Sequence, residues 1–139
     1  MRVLPAVCHA PPGYSGCLFV LPSTRKAAAL RILPSLTALA PDPDREWLEK
    51  TAALEHGLVL VTGPSGSGKS TTLARILSLI SSSRPCHMVT LEDPVEYVIP
   101  SDKALVHQRE VGIDVMDFAS GVRDALREDP DVIALGEMR

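Results

Sequence analysis

The chain has 139 residues, of which 45% are apolar and only 4% aromatic, enough for one aliphatic core of modest size. Fourteen Lys and Arg stand against seventeen Asp and Glu, a net charge of −3, so the basic footprint of a nucleic-acid binder is missing from the totals. Three cysteines, Cys8, Cys17 and Cys86, form no C-x-x-C pair, so neither a disulfide framework nor a zinc site is indicated, and reduced thiols in the cytoplasm are expected.

Charge is unevenly spread. Residues 1–40 contain Arg2, Arg25, Lys26 and Arg31 and no acid, which leaves residues 41–139 with ten basic and seventeen acidic side chains, a net −7. No stretch approaches the roughly eighteen apolar residues of a membrane span, and Pro5, Pro11 and Pro12 interrupt any signal-peptide core, so a soluble protein is expected.

In chain order, residues 1–24 show no sustained period, and Cys17 to Leu21 reads as one short strand. This segment is expected to be weakly ordered, and His9 and Tyr14 belong to no pattern and read as surface residues. Residues 25–33 suit a helix or an extended segment equally, ended by Pro34. Pro41-Asp42-Pro43-Asp44 marks a turn, with Asp44 placed to cap a helix over about Arg45 to Glu55 that carries Trp47, Leu48 and Ala52 on one side and stops at Gly57.

Leu58-Val59-Leu60-Val61 reads as a short buried strand. It runs into Gly63-Pro64-Ser65-Gly66-Ser67-Gly68-Lys69-Ser70, which fits G-x-x-x-x-G-K-[ST] and is followed by Thr71 and Thr72. Glycines belong there because successive backbone N–H groups must turn inward around one anion along a path that a Cβ would obstruct. Lys69 can then meet the β- and γ-phosphates, the Ser70 hydroxyl can ligate Mg²⁺, and the helix that follows adds its positive end. Leu73, Ile76, Leu77 and Ile80 recur at helical spacing behind the loop, so the strand, loop and helix that the motif needs are all predicted. A glycine-rich turn with a chance lysine is the rival reading, and it does not account for that setting.

Ser81-Ser82-Ser83-Arg84-Pro85 ends the helix, and His87 to Leu91 reads as the next strand. Pro94 keeps Asp93 out of helical geometry, which puts Glu92, Asp93 and Glu96 at the carboxyl end of that strand, where open α/β sheets bind ligands. Ala104-Leu105-Val106 suggests a further strand. A helix opens near Asp117 with Phe118, Val122, Ala125 and Leu126 in phase and stops at Asp129-Pro130, and Val132 to Leu135 forms a last strand leading to Gly136-Glu137.

Four collinear blocks resemble one family: Gly57 to Leu73, Thr90 to Glu96, Gln108-Arg109-Glu110-Val111-Gly112, and Ala125 to Arg139. They look like the secretion and pilus-motor ATPases of the PilT and GspE type, with the Gln108 block nearer the PilT retraction branch than the secretion or assembly branch. The resemblance implies a partial RecA-like P-loop NTPase core with a parallel sheet, lacking the strands that follow the Walker B strand. Residues 1–40 would be a remnant of an N-terminal domain and linker, and residues 41–139 the first half of the NTPase domain. It implies ATP and Mg²⁺ as ligands, held by Gly63 to Thr71, with Lys69 and Ser70 on phosphate and metal. Glu92 would polarise the attacking water, Glu137 would be the Walker B acid that helps hold Mg²⁺, and Asp93 and Glu96 are secondary candidates. Glu110, Glu128 and Asp131 are read as surface charges.

The same resemblance implies a homohexamer in the full-length protein. Such a hexamer is cytoplasmic, peripheral at the inner membrane through a pilus or secretion platform protein, and without nucleic acid. Two rivals stay open: a chain that binds nucleotide without hydrolysing it, and a DNA-dependent RecA-like ATPase, which the acidic balance disfavours. In RecA-like sheets the strand that feeds the phosphate loop lies between two strands that come later in sequence than Walker B. The expectation is therefore a truncated chain, marginal alone, in which Leu58–Val61 loses both neighbours or pairs directly with Val132–Leu135.

Overall fold

The computed structural model describes residues 6–7, 14–20, 26–32, 36, 41 and 44–138, the first three segments by their backbone alone. Those three are strands β1 (Ala6–Val7), β2 (Tyr14–Val20) and β3 (Lys26–Ile32), joined as an antiparallel sheet in the order β1-β2-β3. β2 and β3 form a hairpin in which Tyr14 faces Ile32 and Val20 faces Lys26. The extended alternative for residues 25–33 is the one realised, although Ala27 to Leu30 favour helix locally, because cross-strand pairing outweighs a weak local preference. The expected short strand at Cys17 is longer and starts at Tyr14. His9, Cys8, Arg25, the turn at residues 42–43 and the side chains of Tyr14, Cys17 and Arg31 lie outside the described residues.

Helix α1 (Arg45–Ala52) is shorter than the sequence suggests. Asp44 occupies the N-cap position without a side-chain capping bond, and the helix ends five residues before Gly57, so that glycine is not its stop. Leu48 and Ala52 are buried, while Trp47, expected beside them, is 50% exposed. Helix α2 (Lys69–Ser83) buries Ala74, Ile76, Leu77 and Ile80 between α1 and a second sheet, as the 3.6-residue period requires.

That sheet is parallel, in the order β5-β4-β6, with β4 (His87–Glu92) between β5 (Leu105–Glu110) and β6 (Val132–Leu135). Met88, Val89, Thr90 and Leu91 are covered on both faces, which is why this run is continuously apolar apart from one threonine. Met88 and Ala134 share a core with α2. Leu91 points to the other face, where helix α3 (Phe118–Ala125) comes so close that a Cβ on Gly121 would sit 2.9 Å from Leu91 Cδ2. α3 opens with a capping box: the Asp117 carboxylate accepts the Ser120 N–H at 2.7 Å, and the Ser120 hydroxyl accepts the Asp117 N–H at 3.2 Å. A 3-10 turn, Leu126–Glu128, follows, and Asp129 in left-handed geometry closes it before Pro130.

Two expectations are corrected here. Leu58–Val61 is not a buried strand and pairs with neither β6 nor any other described residue; Leu58, Val59 and Leu60 are 81%, 43% and 56% exposed. An apolar run becomes a strand only when neighbouring strands take up its N–H and C=O groups, and without them those groups stay with water. The reading of Glu110, Glu128 and Asp131 as surface charges holds for Glu128 and Asp131, which are exposed, but Glu110 is half-buried, and all three are bonded to other parts of the chain. Asp131 accepts the His87 N–H at 2.7 Å while its own N–H donates to the His87 carbonyl at 2.9 Å, fastening the start of β6 to the start of β4. Glu110 accepts the Val95 N–H at 3.1 Å, and Glu128 takes both oxygens to Arg109 at 2.7 and 2.9 Å.

Candidate nucleotide site

The octet at Gly63 to Ser70 is folded back on itself ahead of α2. Ser67 N–H donates to the Pro64 carbonyl at 3.3 Å, and Thr72 N–H donates to the Gly68 carbonyl at 2.9 Å to begin the helix. Gly68 holds φ +90° at the N-cap, a conformation that costs an L-residue about 1–2 kcal/mol and a glycine almost nothing. The Lys69 ammonium donates to the Pro64 carbonyl at 2.9 Å, so the cation curls over its own loop. The loop residues from Gly63 to Gly68 are exposed, and their backbone borders solvent rather than core.

Beside the loop lies a cleft of about 220 Å³. Lys69 and Ser70 form one wall. The ends of β4 and β6 supply the other, with Glu92, Asp93, Pro94, Glu96, Gly136 and Glu137, while Leu73, Ala74, Leu77, Ile99 and Ala134 make an apolar floor. Gly136 N–H donates to the Leu91 carbonyl at 2.8 Å, extending the ladder by one bond past β6 and setting Glu137 at the rim next to Glu92 in the cleft lining. The Asp93-Pro94 peptide is cis.

Glu92 is braced from two sides. Its Oε1 accepts the Thr90 hydroxyl at 2.7 Å and the Gln108 amide at 2.9 Å. Gln108 in turn donates to the Tyr97 carbonyl at 2.9 Å and accepts the Ile99 N–H at 2.8 Å, so one amide on β5 ties the strand-end acid to the loop that closes the cleft. Thr71 does not line the cleft, and its hydroxyl is hydrogen-bonded to the Tyr97 hydroxyl at 2.8 Å.

The structure thus brings Lys69, Ser70, Glu92 and Glu137 to one cleft, with Asp93 and Glu96 beside them, and leaves Gly63 to Ser67 as the exposed loop at its side. The oxygen donors present, a serine hydroxyl and strand-end carboxylates, are of the hard type that Mg²⁺ takes, and the loop amides and Lys69 suit a phosphate chain. Thr90, Tyr97 and Gln108 were missed from sequence. Thr90 could have been found, because residues i and i+2 of a strand share a face. In the sequence Gln108 stands out only as a marker of one branch of the family, and nothing local shows that it reaches Glu92 sixteen residues away.

The type II/IV secretion system protein family matches residues 20–139. The chain belongs to that family. Among curated members of the type II/IV secretion family, the chain is 47% identical over 114 residues to the twitching motility protein of Neisseria gonorrhoeae, covering 81% of this chain and 30% of that one. It is 52% identical over 94 residues to the type IV pilus retraction ATPase PilT of Pseudomonas aeruginosa, covering 68% and 27%. An uncharacterized Escherichia coli protein, YggR, is 51% identical over 117 residues, 80% of this chain and 34% of its own. The chain therefore spans about a third or less of the curated relatives it matches. In structure it superposes on the pilus retraction motor PilT crystallised with bound ADP, with a TM-score of 0.78 at 42% identity, over 99% of this chain and 40% of that one. The Legionella pneumophila ATPase DotB superposes with a TM-score of 0.68 at 30% identity, covering 99% and 41%. The α/β core is thus a partial RecA-like fold of the secretion family.

Proposed function

We propose that this chain is the ATP-binding portion of a type IV pilus retraction motor, an ATPase that is hexameric at full length and works from the cytoplasmic side of an inner-membrane platform. The observation that carries the reading is the convergence of Lys69, Ser70, Glu92 and Glu137 on one cleft from three separate elements. Similarity to PilT at about half of all aligned positions favours the retraction branch, although secretion ATPases such as the Pectobacterium type II secretion protein E, 44% identical over 97 residues, match nearly as well.

In this reading the amides of Gly63 to Thr71 and the Lys69 ammonium hold the phosphates. Lys69 must leave the Pro64 carbonyl to do so, and an anion in the loop offers it a stronger partner than a neutral oxygen. Ser70 and Glu137 are the residues that would hold Mg²⁺, Glu137 through the ion's waters; the ion supplies charge neutralisation between the β- and γ-phosphates. Glu92 orients the attacking water. Its Oε1 is occupied by Thr90 and Gln108, so the second carboxylate oxygen, Oε2, is the one available for that water.

The test separates binding from turnover. Lys69→Ala should lower the affinity for a fluorescent ATP analogue at least ten-fold. Glu92→Gln should bind as wild type and release phosphate at least a hundred-fold more slowly than the wild-type chain, general-base-type assistance being worth about 10²–10⁴. Equal phosphate release from wild type and Glu92→Gln, with binding intact, would favour the second reading, a chain that binds nucleotide without hydrolysing it. The unpaired Leu58–Val61 segment that feeds the loop speaks for that alternative.

A further inference from the structure

On the face of the sheet turned away from the cleft, three side chains from three elements meet: His87 at the start of β4, His107 on β5 and Glu128 in the 3-10 turn after α3. His87 Nε2 lies 3.2 Å from His107 Nδ1, and one ligand atom from each of the three residues lies within 4.8 Å of the other two. Their common side follows from register. His87 alternates with Val89 and Leu91, the residues facing α3, and His107 sits opposite Val89 in the parallel ladder.

We propose that His87, His107 and Glu128 form a surface site for a borderline divalent transition ion, zinc first among them. Two imidazole nitrogens bound to one tetrahedral zinc at about 2.0–2.1 Å stand roughly 3.3–3.4 Å apart, close to the spacing already present. The rings cross edge to face at 84° with centroids 5.1 Å apart, and rotating both so that the two nitrogens converge on a third point, with loss of the proton they share, is the rearrangement that binding requires. Glu128 is held there by Arg109, whose guanidinium donates to both carboxylate oxygens at 2.7 and 2.9 Å. A carboxylate has lone pairs enough to keep a guanidinium and accept a metal, and such an outer partner fixes the orientation of a ligand. Three protein ligands with water in the fourth position make a common zinc set, and two imidazoles with a carboxylate prefer zinc to the Mg²⁺ of the phosphate cleft. Filling this site would clamp the outer strand β5 and the 3-10 turn to the central strand without touching the nucleotide cleft.

The experiment is a zinc titration of the full chain against a chromogenic chelator, with thermal unfolding in parallel. Wild type should bind one equivalent and unfold at a higher temperature in zinc, because an ion bound only by the folded state stabilises it by mass action. His107→Ala and Glu128→Gln should each weaken binding about ten-fold or more and lose the thermal shift. Both residues are exposed, and each variant's unfolding in chelator gives its fold independently of zinc. Absence of binding by wild type at 100-fold excess over a micromolar affinity, about 0.1 mM zinc, would overturn the proposal. So would His107→Ala retaining wild-type affinity, because zinc would then sit elsewhere, for instance on the thiols. ATP-analogue binding by the variants should match wild type; a loss there would point to general damage to the chain and contradict a site confined to the opposite face.

Discussion

Replacing Gln108 by methionine keeps the length of the side chain and removes the amide that ties β5 to Glu92, Tyr97 and Ile99. Three hydrogen bonds go: to Glu92 Oε1, to the Tyr97 carbonyl and from the Ile99 N–H. They are not equal. Glu92 and Tyr97 line the cleft, where water can replace the amide, so each loss falls toward the low end of about 0.5–1.5 kcal/mol. Ile99 is only 5% exposed, and its orphaned N–H carries the desolvation cost of about 1–3 kcal/mol. The sum expected is roughly 2–4 kcal/mol, a large share of the about 5–15 kcal/mol that holds a domain together. Urea unfolding followed by far-UV circular dichroism should show a lower midpoint at unchanged slope. Gln108→Glu should be worse than Gln108→Met, because it sets a second carboxylate against Glu92 Oε1 at hydrogen-bond distance, and the excess should shrink at low pH as the pair protonates. A Gln108→Met midpoint equivalent to less than about 0.5 kcal/mol of change, or a Glu variant no worse than Met, would refute the reasoning.

Ser81 is 1% exposed; its hydroxyl donates to the Pro100 carbonyl at 2.6 Å and accepts the Asp102 N–H at 3.2 Å, so Ser81→Ala should cost about 1–3 kcal/mol in the same urea assay. Gly121→Ala gains about 1 kcal/mol of helix propensity but drives a Cβ to 2.9 and 3.1 Å from the methyls of Leu91, which has no solvent to retreat into; overpacking of about 1–3 kcal/mol should win, and thermal melting should shift downward. The hydrogen bond from the Ser120 N–H, and after it the nearby Ser120 hydroxyl, hold the Asp117 carboxyl below the ordinary aspartate range. A depressed folded value contributes stability above the unfolded one and loses it as pH falls through the folded one. The melting-temperature gap between wild type and Asp117→Ala should therefore be full at pH 7 and narrow steadily below pH 4.

The phosphate loop, the α2 stripe, the Asp117 start of α3 and the strand at His87 are legible from sequence because each rests on residues within one or two turns of each other. Backbone geometry at glycines, a 3.6-residue period and a capping box all act locally. The acids at the ends of β4 and β6 are legible for a related reason: a parallel sheet puts the carboxyl ends of its strands at one edge, so Glu92 and Glu137 line one cleft once both strands are recognised. The mistakes share the opposite character. Leu58–Val61 has the composition of a strand, but a strand is a relation between segments, and here no described neighbour takes up its hydrogen bonds. Residues 26–32 look as helical as extended until Tyr14 to Val20 lies against them.

Gln108, Asp131 and Glu128 acquire their roles from partners sixteen, forty-four and nineteen residues away, and the His87, His107 and Glu128 cluster comes together only through sheet register and the turn after α3. What the sequence by itself determined about this protein is the set of pieces whose energetics are short-range: the glycine-rich loop, the helices and the central strand. Which polar side chain braces which acid, and which apolar run is left in water, only the tertiary structure decided. Hydrogen bonds and burial are properties of pairs, and a linear string does not state its pairs.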